Sequence, residues 1–325
     1  MFLGIEIGGT KLQLGVGAGD GVLAGLWRGA VDVAAGPEGI RRQIAAAVPE
    51  LLATSGVERS ALRGVGIGFG GPVDDSTQTI IKSHQIEGWD GFPLADWISD
   101  LVGLSAALGN DADVAGLAEA LHGAGKGLSP IFYITVGSGI GGGLIIDGQI
   151  YRGVGRGAAE IGHLLVFAKS FERDRCMMPL EEIASGWSIG QRASGWVGEW
   201  VSGTDHEDSP LQRLSGGDPE KVTGRMVAEA ANQYDNNALS IIYAARNALA
   251  EAICQVITLL CPRRIIIGGG VSLIGEELLF RPVREFVARD AFPPFAGLTD
   301  IVPAALGEEV VVHGALALAR QRLAR

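Results

Sequence analysis

Apolar residues along this chain fall into short runs that stop at glycines, and each stop predicts a turn after a strand. Phe2 to Ile7 is apolar except for Glu6 and predicts the first strand. Gly8-Gly9-Thr10 turns the chain into Lys11 to Val16, where Leu12, Leu14 and Val16 alternate with Lys11, Gln13 and Gly15. Ile131 to Val136 predicts a buried strand that enters Gly137-Ser-Gly-Ile-Gly-Gly-Gly143 and leaves as a strand at Leu144 to Ile146. Asp147-Gly148 then turns into Gln149 to Tyr151. Arg263 to Ile267 predicts another strand, ending in Gly268-Gly269-Gly270, with Ser272 as a cap for a following helix. Arg63 to Gly68 and Leu104 to Leu108 add two more strands. Pro37 to Ala53 has helical spacing, with Ile40, Ile44, Val48 and Leu51 on one side. Val114, Leu117, Ala118 and Leu121 predict a helix that stops at Gly123-Ala-Gly125. Ile241 to Cys261 is the most apolar long stretch, yet Arg246, Glu251 and Gln255 mark it as a core helix rather than a membrane span.

The glycine junctions carry the candidate chemistry. Gly137, Gly139 and Gly142 formally spell G-x-G-x-x-G, but a dinucleotide fold needs a helix after the glycines and a strand follows here. Gly125-Lys126-Gly127 has no Ser or Thr after the lysine, so it is not a Walker A loop. A strand–Gly-Gly-Thr–strand hairpin suits a nucleotide triphosphate better. Its N–H groups and the Thr10 hydroxyl reach phosphate oxygens, and Glu6 can hold Mg²⁺ through water. Two such hairpins suggest a duplicated phosphate-holding unit, one per lobe. Gly268 to Gly270 would let a flat adenine or ribose lie against the backbone. Gly70-Gly71-Pro72 reads equally as a ligand-facing turn and as a connector. Asn110 and Asp111 stand at a strand-to-helix junction, where open α/β sheets place chemistry, although a cap alone would explain one of Asn110, Asp111 and Asp113. Glu160 and His163 share one face of a helical turn around Gly162, suited to bonding adjacent sugar hydroxyls. Trp89, Phe92 and Trp97 read as a core group first and as a sugar-facing group second.

Composition narrows the partners. The 325 residues include 50 glycines, many of them in the turns above, and the formal net charge is −11. That charge disfavours a nucleic-acid surface and a polybasic membrane patch. Cys176, Cys254 and Cys261 form no disulfide framework and indicate a reducing compartment. With no basic segment ahead of the first strand, a cytoplasmic location is expected.

The ordered motifs Glu6-Ile-Gly-Gly-Thr-Lys11, Gly70-Gly-Pro-Val-Asp74, Asn110-Asp111, Gly137 to Gly143, Glu160-Ile-Gly-His163, Leu180-Glu181 with Ala184-Ser-Gly186, and Ile265 to Ser272 resemble those of the ROK family (repressor, open reading frame, kinase) over nearly the whole chain. The resemblance implies an actin-like (ribonuclease H-like) α/β fold, a duplicated two-domain sugar kinase with a cleft between lobes. The expected lobes are 1–109, joined by a final helix over 311–325, and 110–310, with hinges near Gly109 and Leu306-Gly307 that close on sugar. It further implies ATP-dependent phosphorylation of a hexose, glucose first, at its 6-hydroxyl. Asp111 would be the base. Gly71, Asn110, Glu160, His163 and Glu181 would bind the sugar. Glu6, Gly8, Gly9, Thr10, Lys11, Gly137, Ser138, Gly139, Gly269 and Gly270 would hold the nucleotide, with Mg²⁺ near Glu6. A homodimer or homotetramer is expected. The alternatives within the family are an N-acetylhexosamine or fructose kinase and a non-catalytic sugar-sensing regulator. A DNA-binding repressor is disfavoured because the first motif begins at residue 3, and a polyphosphate donor because no basic track is present.

Three departures from the family pattern stand out. Glu6 replaces the usual Asp and is one methylene longer. The usual cysteine-rich zinc motif is replaced by Arg173-Asp-Arg-Cys-Met-Met-Pro-Leu-Glu181, so a structural zinc is not expected. Ser202 to Thr223 is polar and reads as a surface insertion.

Overall fold

The computed structural model describes residues 1–83, 86–168, 176–200 and 209–324. In chain order the first strands and helices are β1 (Phe2–Ile7), β2 (Lys11–Gly17), β3 (Leu23–Ala30), α1 (Gly36–Ser55), β4 (Val65–Phe69), β5 (Val73–Asp74), β6 (Thr79–Ile80), α2 (Leu94–Val102), β7 (Ala106–Asn110) and α3 (Asp111–His122). Then come β8 (Ile131–Val136), β9 (Ile140–Ile146), β10 (Gln149–Ile150), β11 (Leu165–Ala168), β12 (Cys176–Pro179), α4 (Leu180–Ala184), α5 (Gly186–Trp200), α6 (Pro210–Ser215) and α7 (Gly224–Asn232). The chain ends with α8 (Asn236–Leu260), β13 (Arg264–Gly268), α9 (Arg281–Asp290), β14 (Asp300–Pro303) and α10 (Val310–Leu323). Two five-stranded sheets result, in the orders β3-β2-β1-β4-β7 and β10-β9-β8-β13-β14.

Glycine inside the strands explains much of the first sheet. β1 and β2 are antiparallel while β1, β4 and β7 run parallel; within each strand alternate residues share a face, and the register puts Ile5 beside Leu14 and Ile67. One face carries Ile5, Leu14 and Ile67 into a core with Ile40, Ile44 and Leu51 of α1, the helical stripe expected from the sequence. The other face carries Gly4, Gly15, Gly66 and Gly68, and α10 lies directly on it. A Cβ on Gly66 would stand 1.8 Å from the Ala315 carbonyl oxygen, and one on Gly4 would stand 2.9 Å from that of Val312. Part of the glycine excess thus serves the approach of helix to sheet rather than turns. β2 is buried on both faces in consequence, which hides its expected alternation.

The chain divides into two units. Residues 1–133, 143–159 and 304–325 form one, and 134–142 with 160–303 form the other. This differs from the expected 1–109 and 110–310, because α3 stays with the first unit. The cause is again a close approach: a Cβ on Gly314 of α10 would meet the Val114 carbonyl oxygen of α3 at 1.9 Å. Gly109 is therefore interior to the first unit, not at its edge. The returning segment begins at Ala304, ahead of the expected residue 311.

Other expectations shift by a few residues. The strand expected at Leu104 to Leu108 is β7, which reaches Asn110. β9 starts at Ile140, inside the glycine run, so the turn before it is only Gly137-Ser138-Gly139. Ser272 caps no helix: it sits inside a 3₁₀ turn, Gly270–Ile274, and its hydroxyl donates to the Gly269 carbonyl at 2.7 Å. Trp89 is fully buried and packs edge-on against Phe69 and Phe92, at 5.6 and 5.4 Å between ring centres. Ser202 to Asp208 and Arg173 to Arg175 lie outside the described residues. From Ser209 onward the polar stretch is ordered structure rather than a loose insertion. Leu211 of α6 is buried, and its N–H donates to Asp235, the residue that caps α8. Among the described residues no helix is long and apolar enough to cross a membrane.

Candidate functional site

Each unit carries one group of the residues singled out in the sequence. In the first unit the Gly8-Gly9-Thr10 turn is closed by the Gly8 N–H donating to the Lys11 carbonyl at 3.0 Å. Gly70 is brought beside it, its N–H donating to the Ile7 carbonyl at 2.9 Å. Asn110 ends β7 and caps α3, its Oδ1 accepting from the N–H groups of Ala112 and Asp113 at 2.9 and 3.3 Å. Its Nδ2 donates to the Gly71 carbonyl at 3.0 Å. Both polar ends of Asn110 are thereby used inside the protein, as are the N–H and carbonyl of Gly71. Asp111 follows as the first residue of α3. Its Oδ1 accepts from the Ala112 N–H at 2.8 Å, and a Cβ on Gly70 would stand 3.4 Å from its Oδ2.

Glu6 and Lys11 form an ion pair at 3.0 Å at the base of the hairpin. Lys11 Nζ also donates to the Glu308 carbonyl at 3.0 Å, just ahead of α10. Glu6 is only 4% exposed, and its Oε2 has no hydrogen-bond partner. Burial pushes the Glu6 carboxyl up to about 7, against the opposing charge and hydrogen bond of Lys11; Asp111 and Glu308 push in the same direction as burial. A folded-state pKa above the unfolded one means that the native protein holds the extra proton, so stability falls as pH rises from about 4.5 through about 7. At 1.36 kcal/mol per unit this is about 3 kcal/mol across the window. Glu6→Gln should remove that slope. Urea unfolding of the metal-free protein at pH 5.5 and 8.0 will show it as a parent-to-variant difference that grows with pH; a constant difference would contradict the shift.

In the second unit Glu181 organises the other glycine turn. Its Oε2 accepts from the Ile140 N–H at 2.6 Å, and a Cβ on Gly139 would stand 2.5 Å from that oxygen. Gly139 is thus needed to seat the carboxylate. Gly162 is needed for a similar reason: a Cβ there would lie 2.2 Å from the Ile140 carbonyl oxygen. That contact brings the 3₁₀ turn Ile161–His163, with exposed Glu160 and His163 at its ends, onto the start of β9. The Ala184-Ser-Gly186 motif supports the turn from the other side. Gly186 N–H donates to the Gly137 carbonyl at 2.7 Å, and Ser188 Oγ donates to the Glu181 carbonyl at 2.9 Å. Gly269 has φ +83° and passes so close to Val136 that a Cβ would collide with its backbone at 2.6 Å. By contrast, a Cβ on Gly137 or Gly270 would meet nothing within 4 Å, so their missing side chains leave open space rather than serve packing. Ser138 and Thr10 are exposed at the tips of their turns.

Two residues that the sequence did not single out belong to the first group. Gln13 lies opposite Glu6 across β1 and β2 and donates from Nε2 to the same Glu308 carbonyl at 3.2 Å. Glu119 of α3 is fully buried; its Oε1 accepts from the N–H groups of Ala305 and Leu306, each at 2.9 Å, and its Oε2 from Ala124 at 2.7 Å. An acid inside an apolar helical stripe was the available signal for Glu119. Among the described residues no three or more His, Cys, Asp or Glu side chains gather as a metal cage. Mg²⁺ does not require one, since it is commonly held by one or two carboxylates and substrate phosphates. The buried, unpartnered oxygen of Glu6 suits such a cation.

These two sheets and their glycine turns are those of the actin-like sugar kinase fold. A solved structure of a ROK family glucokinase from Streptomyces griseus, in complex with glucose and AMPPNP, matches with a TM-score of 0.79 and 30% identity over 98% of this chain and 99% of that one. The ROK family model matches residues 2–322, and the chain belongs to the ROK family. It is 32% identical to the glucokinase of Halalkalibacterium halodurans over 99% of this chain and 95% of that protein. It is equally 32% identical to the glucokinase of Thermotoga maritima, over 99% and 98%.

Proposed function

We propose that this protein is a sugar kinase that transfers the γ-phosphoryl group of ATP to the 6-hydroxyl of a hexose, with glucose as the preferred acceptor. The observation that carries the reading is the placement of Asp111. A carboxylate held by its own helix N-terminus stands beside Gly70 and within electrostatic reach of Glu6 at the base of a glycine hairpin. The two glucokinase relatives and the enzyme bound to glucose and AMPPNP support it.

In this reading Asp111 accepts the proton of the sugar hydroxyl as its oxygen attacks the γ-phosphorus and the bond to the ADP oxygen breaks. Ala112 N–H fixes one carboxylate oxygen and so orients the other. Asn110 acts mainly by holding the Gly71 turn, because its carboxamide is already bonded there. Glu160, His163 and Glu181 bind sugar hydroxyls. The Gly8–Lys11 and Gly137–Gly139 turns, in which the Gly8 and Gly137 N–H groups are already bonded within the protein, offer their remaining N–H groups to the phosphates, and the open flanks of Gly137 and Gly270 admit the nucleotide. Mg²⁺, when bound, would offset phosphate charge, and Glu6 is the residue that would hold it. Positioning and charge stabilisation then supply most of the rate.

A coupled ADP-release assay over glucose, mannose, fructose, N-acetylglucosamine and N-acetylmannosamine tests this directly. Glucose should give the highest kcat/KM. A higher value for another sugar would replace the acceptor, and no ADP release with any of them would overturn the kinase. Gly139→Ala provides a second check. Its methyl must displace the Glu181 carboxylate, so KM should rise roughly tenfold, the scale of a 1–3 kcal/mol overpacking penalty, while circular dichroism stays native. Unchanged KM would remove Glu181 from sugar binding.

A further inference from the structure

We infer that Gln13 supplies a second oxygen to the cation held at Glu6, so that Glu6 Oε2 and Gln13 Oε1 together form a two-oxygen site for a hard divalent cation. Glu6 and Gln13 are direct partners across antiparallel β1 and β2. Direct partners project their side chains from the same face with Cβ atoms about 5 Å apart. Both are almost wholly buried, at 4% and 2% exposure. Each has one atom accounted for and one not. Glu6 Oε1 pairs with Lys11, and Gln13 Nε2 donates to the Glu308 carbonyl. Glu6 Oε2 and Gln13 Oε1 have no hydrogen-bond partner.

The carboxamide cannot simply be turned around. Exchanging its oxygen and nitrogen would set Gln13 Oε1 against the Glu308 carbonyl, acceptor against acceptor. Its oxygen must therefore point elsewhere. Lys11 Nζ lies 3.0 Å from both Glu6 Oε1 and the Glu308 carbonyl oxygen, to which Gln13 also donates, so the carboxylate and the carboxamide share one small region. With Glu6 ionised, two buried acceptors there lack a donor, which is costly unless something electropositive completes them. A divalent cation would complete both oxygens at once, as would a water, and the titration below tells the two apart. Carboxylate and carboxamide oxygens are hard donors that suit Mg²⁺ or Mn²⁺.

The inference rests on the kinase reading for its use of a divalent ion, but its test is binding rather than turnover. Mn²⁺ alone is titrated into the nucleotide-free protein at pH 8.0 and followed by calorimetry and by loss of the free-ion electron paramagnetic resonance signal. The parent should bind one ion saturably. Gln13→Leu should weaken that binding by roughly tenfold or more, the scale reported for groups that support a metal. Gln13→Glu separates the donor role from a holding role. Both variants lose the bond to Glu308, but only Gln13→Glu keeps an oxygen on β2, so its affinity should match or exceed the parent's. Equal affinity in parent and Gln13→Leu would overturn the inference, as would equal weakening in both variants or no saturable binding in the parent. Native circular dichroism in Gln13→Glu guards against misfolding as the cause. A negative titration with normal ADP release overturns this site alone; absent ADP release with normal Mn²⁺ binding overturns the kinase reading instead.

Discussion

Asp111→Asn should lower kcat by roughly 10²–10⁴ while leaving sugar affinity within a few-fold of the parent. The substitution preserves what the fold asks of this residue. Asparagine keeps an oxygen for the Ala112 N–H, which Asp111 Oδ1 now accepts at 2.8 Å, and the cap itself belongs to Asn110. It removes the negative charge and with it the ability to take a proton. A structural residue and a base therefore part company in this one variant: a loss of stability with normal turnover would mean packing, and the converse would mean chemistry. Single-turnover kinetics with glucose and ATP, alongside equilibrium glucose binding by calorimetry, separates them. Turnover within a few-fold of the parent would remove Asp111 from the proton transfer.

The largest stability effect is expected at Glu119. Its carboxylate serves three backbone N–H groups, of Ala124, Ala305 and Leu306, from a fully buried position. Glu119→Ala leaves all three part-buried N–H groups without this acceptor, at about 1–3 kcal/mol for each buried group left unpaired. A loss of roughly 4 kcal/mol is expected, a large part of the 5–15 kcal/mol that holds a typical domain. Glu119→Gln should lose less, because its remaining oxygen can still serve Ala305 and Leu306 while its NH₂ opposes Ala124. Urea unfolding of the two variants gives the comparison, and a loss below about 1 kcal/mol for Glu119→Ala would show that the crossover is held by other contacts. The crossover also bears on the site, since its Glu308 carbonyl accepts from Lys11 and Gln13.

Eight strands, β1, β2, β4, β7, β8, β9, β10 and β13, were legible because apolar runs bounded by glycine leave little choice of element, whereas β3, β5, β6, β11, β12 and β14 were not singled out. Phe2 to Ile7, Ile131 to Val136 and the stripe of α1 all formed where the pattern put them. The group around Asp111 was legible as a strand-to-helix junction. What escaped reading depends on partners distant in sequence. Gly66 is glycine because Ala315 passes over it, and nothing near residue 66 announces a helix some 250 positions later. Glu119 stands out as an acid in an apolar helix, but its partners Ala305 and Leu306 lie far along the chain. Gln13 read as the polar half of an alternation, whereas both halves are buried between α1 and α10. The unit boundary was misplaced for the same reason: the α3–α10 contact at Gly314 has no local signature.

The bond between Glu181 and Ile140 has a thermodynamic corollary. One carboxylate oxygen is fixed to the backbone of the turn proposed for phosphate, and the same side chain is proposed to meet a sugar hydroxyl. A hydroxyl that polarises or reorients this carboxylate alters the strength of its hold on the turn, and a nucleotide that shifts the turn alters what the sugar meets. The two ligands are then linked through a single residue, and linkage is reciprocal: whatever factor glucose imposes on AMPPNP affinity, AMPPNP must impose on glucose affinity. Calorimetric titrations of each ligand with and without the other should return matching factors. Glu181→Gln, which keeps an acceptor for Ile140 but surrenders the charge, should bring both factors toward one together.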